Sequence, residues 1–136
     1  MSRGSALLEF AIAWPVSLLL VAGCIQLAVW GSESFAAREA ALAGAHAGTV
    51  AGSGADAAAT VTIAALGRSL VGVRARRWCP GSTDLAPEVW VCARLRNGSV
   101  QVVVAGTVPA LLPLVPGGHG LPIRASVVLS QETFRP

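Results

Sequence analysis

The chain has 136 residues, 54% of them hydrophobic and 12% charged, with a net charge of +3 from ten arginines and no lysine against seven acids. This length gives one ordinary domain and little more. A soluble domain carries about a quarter charged residues, so a plain cytosolic protein is excluded by the low charge and disorder by the apolar content, while the cationic excess, lacking a basic cluster, does not mark a nucleic-acid binder.

No charged residue occurs over the 21 positions from Phe10 to Trp30, where Ser17 and Gln26 are the only polar side chains. At about 1.5 Å per residue such a helix matches the roughly 30 Å hydrocarbon core of a bilayer. The reading is a transmembrane helix over residues 10–30, with Trp14 and Trp30 as interfacial anchors and Pro15 tolerated within it. The competing reading is a cleavable secretory signal, whose apolar region usually runs about 7–15 residues. Here the run is longer and is preceded by an acid, Glu9, which favours an uncleaved anchor. Arg3 and the α-amino group precede the span, while Glu33, Arg38 and Glu39 follow it with no positive excess. The positive-inside rule then puts the N-terminus in the cytoplasm and everything after Trp30 outside.

The helical pattern continues past the span through SESFAAREAALAGAHAG, in which Phe35, Leu42 and Thr49 recur at sevenfold spacing. One long helix is expected over residues 5–52, ended by Gly52-Ser53-Gly54. A second helix is expected from about Ala55 to Leu70. Asp56 is favourable near its start, and Ala59, Ile63, Leu66 and Leu70 form a buried stripe.

The period then changes. Residues 71–78, 88–96, 99–108 and 123–133 read as strands, and Asn97-Gly98 is the signal for a two-residue hairpin turn. That turn sets the register: Arg96 faces Ser99, Leu95 faces Val100, Ala93 faces Val102 and Val91 faces Val104, an apolar face throughout. Arg94–Gln101, Cys92–Val103 and Trp90–Ala105 occupy the opposite face. In the last strand Ile123, Ala125, Val127 and Leu129 share one face. Sheets with one apolar face are covered by helices on that face. The fold class is α+β: a long N-terminal transmembrane helix, a second short helix and a small antiparallel sheet of about four strands over residues 53–136.

Cys79 and Cys92 bracket a turn-rich loop in the part placed outside, where disulfides persist. A bridge closing this loop contributes about 3 kcal/mol; two free thiols are the alternative. An antiparallel hairpin with Cys79 opposite Cys92 sets Arg77 against Arg94, so an irregular connection is expected there. Cys24, within the span, reads as packing.

No catalytic constellation can be assembled. His46 and His119 have no partner at metal-ligand or triad spacing, and Gly117-Gly118-His119-Gly120 lacks the lysine of a phosphate loop. Neither a cofactor nor a metal is expected. Arg68, Arg74, Arg76, Arg77, Arg94 and Arg96 read as a solvated face that keeps the domain soluble, with acidic polysaccharide or lipid headgroups as the alternative contact. Glu9 departs from these rules, because an ionisable residue at membrane depth is costly.

Around Glu9 the sequence runs Arg3-Gly4-Ser5-Ala6-Leu7-Leu8-Glu9-Phe10: a short basic leader ending in Gly, an acid at the fifth position after it, then an unbroken apolar run. This arrangement resembles the class III signal of type IV pilins and pseudopilins. The string RGSALLEFAIAWPVSLLLVAG, with the alanine-rich continuation, is similar to TadE-type pseudopilins of tight-adherence (Flp) pilus systems over roughly residues 3–50. The resemblance implies cleavage by a prepilin peptidase between Gly4 and Ser5 on the cytoplasmic side, with residues 1–4 as leader. It also implies retention of Glu9 as the acid that sets helix register by pairing with the freed α-ammonium of Ser5 on a neighbouring subunit.

The implied function is a minor pilin-like subunit in assembly of a tight-adherence pilus or related secretion filament, not an enzyme. Its partners would be the prepilin peptidase, other pilin or pseudopilin subunits, the assembly platform and membrane lipid, with no nucleic acid. The alternative is a signal-anchored extracytoplasmic binding domain that never enters a filament.

Overall fold

The computed structural model describes residues 3–50, 53–70, 72–110 and 120–131. The chain forms α1 (Arg3–Thr49), α2 (Ala55–Ser69), β1 (Ala75–Arg77), β2 (Val89–Arg96), β3 (Ser99–Pro109) and β4 (Gly120–Ser130). His119, the two glycines before it, and the expected strand end at 132–133 lie outside the described residues, as does the Leu111–His119 part of the expected connection.

α1 is one unbroken helix of 47 residues with Pro15 inside it, about 70 Å long at the usual rise. Ser53 closes its C-terminal end: the Ser53 amide donates to the Val50 carbonyl at 3.0 Å, and its hydroxyl donates to the Ala47 carbonyl at 2.7 Å. Carbonyls that the last helical turn leaves unpaired are thus satisfied, and the chain turns back into α2.

The two helices meet along small residues. Ala37, Ala40, Ala41 and Ala45 of α1 are buried against Ala58, Ala59 and Leu66 of α2 and the sheet. Gly44 marks the closest approach, since a Cβ there would lie 2.6 Å from the Ala58 carbonyl oxygen and would also run into the Thr62 hydroxyl. The sevenfold positions of the sequence pattern do not form this seam: Phe35 is 66% exposed. In α2 the expected stripe is present, with Leu66 and Leu70 buried and Ile63 partly so.

The sheet has the order β1-β2-β3-β4. The β2–β3 hairpin has the register read from its turn, from Arg96↔Ser99 and Leu95↔Val100 to Val91↔Val104. Asn97 and Gly98 adopt φ of 51° and 69°, the left-handed pair that a tight hairpin turn needs. β4 pairs antiparallel with β3 and begins at Gly120, earlier than the pattern indicates, with Thr107 opposite Pro122. Proline is tolerated there because β4 is an edge strand with a free N–H side.

The expected antiparallel sheet is instead mixed: β1 pairs parallel to β2. The physical reason lies in the charges and in the loop. An antiparallel β1 brings Arg77 opposite Arg94, whereas the parallel register puts Arg77 opposite Val91, where its guanidinium pairs with Asp56 of α2. The irregular connection between β1 and β2 gives the chain room to return and run in the same direction.

One sheet face carries the core. Val89, Val91, Ala93, Val100, Val102, Val104, Ile123 and Ala125 are buried beneath the two helices. Burying a valine side chain contributes roughly 1.5–3 kcal/mol, so this layer dominates the stability of the folded part. Leu95, on the same face but past the helices, is 52% exposed.

Candidate functional site

The first half of α1 has no intramolecular cover. Leu7, Leu8, Phe10, Ile12, Trp14, Leu18 to Val21, Ile25 and Leu27 are all exposed, and α1 is long and apolar enough to cross a membrane. The bare stretch from Leu7 to Ile25 spans about 27 Å at helical rise, close to a hydrocarbon thickness. Phe10 and Trp14, one turn apart, stack with ring centroids 6.0 Å apart. Ser17 donates its hydroxyl to the Ala13 carbonyl at 2.9 Å and so presents no free polar group.

Glu9 lies exposed at the start of this belt, one helical turn beyond Ser5. Gly4 and Ser5 both lie in the first turn of α1, where four backbone N–H groups have no intrahelical acceptor. Opening that turn forfeits few hydrogen bonds.

The belt ends where the folded part begins. Gln26 and Glu33 are each 5% exposed, and neither is without a partner. Between them the indole Nε1 of Trp30 donates to the Pro122 carbonyl at 3.0 Å, tying the helix to β4. With the small-residue seam above, positions 26, 30, 33 and 37 form a continuous inward stripe at three- and four-residue spacing.

Cys79 and Cys92 are bonded, with Cα atoms 4.8 Å apart. The loop they close folds over the outer sheet face. Trp78 donates its Nε1 to the Asp84 carbonyl at 3.0 Å and packs edge-on against Trp90 at 5.3 Å between centroids. Arg94 donates to the Pro80 carbonyl at 3.0 Å. The loop leaves a hollow of about 160 Å³ beside Trp90, Cys92, Arg94, Gln101 and Arg124, smaller than the roughly 300 Å³ at which small-molecule pockets begin.

Of the arginines singled out in the sequence, all six are exposed. They do not form one patch: Arg77 is paired with Asp56 beneath α2, while Arg76, Arg94 and Arg96 lie on the outer sheet face. His46 is exposed near the end of α1, and no group of three metal-ligating side chains occurs among the described residues.

The sequence reading missed a polar cleft between α1 and β4. Its walls are Ser34, Phe35 and Arg38 on one side and Arg124, Ala125 and Ser126 on the other, around a volume of about 480 Å³. Arg124, the only charge in the last strand among the described residues, has its side chain on the outer sheet face by register, with Trp90 and Arg94, so it did not signal the cleft. Comparison with protein-family models, curated protein sequences and solved structures finds no match to this chain.

Proposed function

We propose that this protein is a pilin-like subunit in assembly of a tight-adherence pilus or a related secretion filament, held in the cytoplasmic membrane by α1 with its N-terminus inside and its folded part outside. The observation that carries this reading is a bare apolar belt with a single carboxylate, Glu9, one helical turn from Gly4–Ser5, on the same helix that enters the folded core. A belt this apolar requires lipid or other helices as its solvent. In a membrane it is solvated by acyl chains; in a filament the same belt packs against its copies.

Glu9 supplies register. A lone carboxylate drawn into a helix bundle costs several kcal/mol unless paired. Cleavage after Gly4 creates an α-ammonium on Ser5, and a neighbour's ammonium against Glu9 satisfies both charges at one axial offset only. Pairs of this kind select a register more than they add stability. The prepilin peptidase, sibling subunits and the assembly platform are the partners on this reading.

The test separates cutting from assembly. Gly4→Val adds bulk beside the scissile bond and leaves the precursor uncut. Glu9→Ala is cut near normally and fails to assemble, and Glu9→Gln, which keeps an acceptor without the charge, is intermediate at best. The readouts are the gel mobility of precursor against mature form and filament counts in the same strains. Processing of Gly4→Val at Ser5 overturns the prepilin reading in favour of a signal-anchored binding domain. Normal filaments from Glu9→Ala reduce Glu9 to an interfacial carboxylate.

A further inference from the structure

We propose that the outer face of the sheet binds an acidic polysaccharide, one carboxylate of which sits in the hollow between Arg94 and Arg124. The inference goes beyond the proposed function and does not depend on filament assembly. It rests on α1 spanning the membrane only in choosing a free polymer over a lipid.

The strand register gathers the site. Outer-face side chains lie in rows across the strands: Arg76, Trp90, Ala105 and Arg124 share one row, and Arg94, Gln101 and Val128 share another. Arg94 and Arg124, from two different strands, thus line one hollow together with Trp90 and Gln101. No carboxylate lines it, and neither arginine forms an ion pair among the described residues. The Trp90 indole N–H and the Gln101 side-chain amide, both half-buried, have no hydrogen-bond partner among the described residues. Arg94 is already held by its bond to the Pro80 carbonyl, beside the Cys79–Cys92 bridge, so its guanidinium is positioned before a ligand arrives. Convergent donors with no acid among them form an anion receptor, and guanidinium forks match carboxylate geometry.

Size, height and the aromatic pair choose the ligand. At about 160 Å³ the hollow admits one anionic substituent rather than a whole small molecule. Arg76 and Arg96, exposed on the same face, extend the charge beyond it, which suits a polymer of repeated anions held at several points at once. The face also stands clear of the bilayer. β4 runs beside α1 in the same direction: Pro122 bonds Trp30 at one end, and Val100, opposite Leu129, abuts Gly48 at the other, where a Cβ would lie 2.8 Å from its methyl group. Arg94 is in the row of Val128, about 20 Å of strand beyond Pro122, and Arg96 in that of Ser130, about 27 Å beyond. Both distances exceed the Debye length of about 8 Å, so headgroups at the level of Trp30 do not supply the anion. Trp78 and Trp90 pack edge-on against each other, and Trp78 is tied to the Asp84 carbonyl. They do not form the parallel platforms on which successive nucleic-acid bases stack. They do offer fixed amphipathic rings against which the C–H face of a sugar rests.

The experiment uses the purified full chain in non-ionic detergent micelles, titrated calorimetrically with oligogalacturonate, neutral dextran of the same length, polyglutamate and single-stranded DNA. The wild type is expected to bind oligogalacturonate in preference to the other three. The R94Q/R124Q variant is expected to bind it at least about tenfold more weakly, through loss of two charge-assisted contacts. The R38Q/R68Q variant removes the same charge from the helices and is expected to match the wild type. All four arginines are exposed, so folding is kept, and equal thermal midpoints check this. No binding by the wild type, unchanged binding by R94Q/R124Q, or an equal loss in R38Q/R68Q overturns the proposal. Equal binding of polyglutamate or DNA overturns the assignment to a sugar polymer. The binding measurement needs neither Gly4–Ser5 cleavage nor Glu9. Processing of Gly4→Val with oligogalacturonate binding intact therefore defeats the proposed function alone, whereas a cut, assembled subunit that ignores oligogalacturonate defeats this proposal alone.

Discussion

The indole of Trp30 and the carbonyl of Pro122, 92 residues apart in sequence, are joined by a 3.0 Å hydrogen bond where the bare belt of α1 meets the first residues of β4. Proline cannot donate to a ladder, yet its carbonyl is free to accept from outside the sheet. The bond thus uses the one backbone group that the edge strand offers at this point.

Trp30→Phe should keep the ring packing and lose this bond, at a cost of about 1 kcal/mol. Amide hydrogen exchange in full-length protein is the measurement. Amides of β4 near Ile123 should open about fivefold more often, while those of the β2–β3 hairpin stay unchanged. Uniform acceleration through the sheet would show that Trp30 acts on global stability instead.

Two glycines in one helix should respond in opposite directions to the same change. Gly31 has open space around its Cα, and Gly44 abuts Ala58 and Thr62. Gly31→Ala should stabilise by up to about 1 kcal/mol through helix propensity. Gly44→Ala should destabilise by about 1–3 kcal/mol, because α1 and α2 must separate to admit the methyl group. Thermal unfolding followed by tryptophan fluorescence reports both. The same sign for both variants would mean that the helices do not approach so closely.

Legibility in the sequence followed the strength of each local constraint. The β2–β3 register was readable residue by residue, because a two-residue turn fixes the pairing and a one-residue slip would turn Val91, Ala93, Val100 and Val102 to solvent. The direction of β1 was not: Ala75-Arg76-Arg77 is too short to alternate, and a loop tied by a disulfide permits either direction. The α1 seam was hidden by uniformity. Ala37, Ala40 and Ala41 differ little from Ala36 and Ala43, so periodicity favoured the larger Phe35, which faces outward. For the candidate site, Glu9 is conspicuous in the sequence as a lone acid beside an apolar run, whereas Gly4–Ser5 is singled out only by the resemblance to a prepilin signal. The α1–β4 cleft was not legible, since its two walls become neighbours only through the tertiary fold.

The Cys79–Cys92 bridge should leave one alkylatable thiol, Cys24, when the chain is denatured without reduction. Mass spectrometry after iodoacetamide gives the count, and three modified thiols would refute the bond. Cys92→Ala should cost about 3 kcal/mol by freeing the loop in the unfolded chain, and should leave intact the cleavage at Gly4–Ser5 that the proposed function requires.

Gly98→Val should weaken the hairpin by about 1–2 kcal/mol, since a β-branched residue is strained at its φ of 69°. Denaturant midpoints for Gly98→Val and Gly98→Asn provide the check. Asparagine tolerates this conformation and should recover most of the loss; equal losses would point to packing rather than backbone strain.

The absence of any linker between the belt and the folded part has a mechanical consequence. α1 leaves the bare stretch and enters the core as the same helix, pinned by Trp30 and by the Ala37–Ala45 seam. The sheet therefore cannot swivel about the helix axis independently of it. Whatever azimuth the belt takes among its neighbours is passed undiminished to the outer face bearing Arg76, Arg94 and Arg96. Any array of copies set by equivalent belt contacts must present that face at one repeating heading, and a torque applied at the membrane end is felt at the sheet.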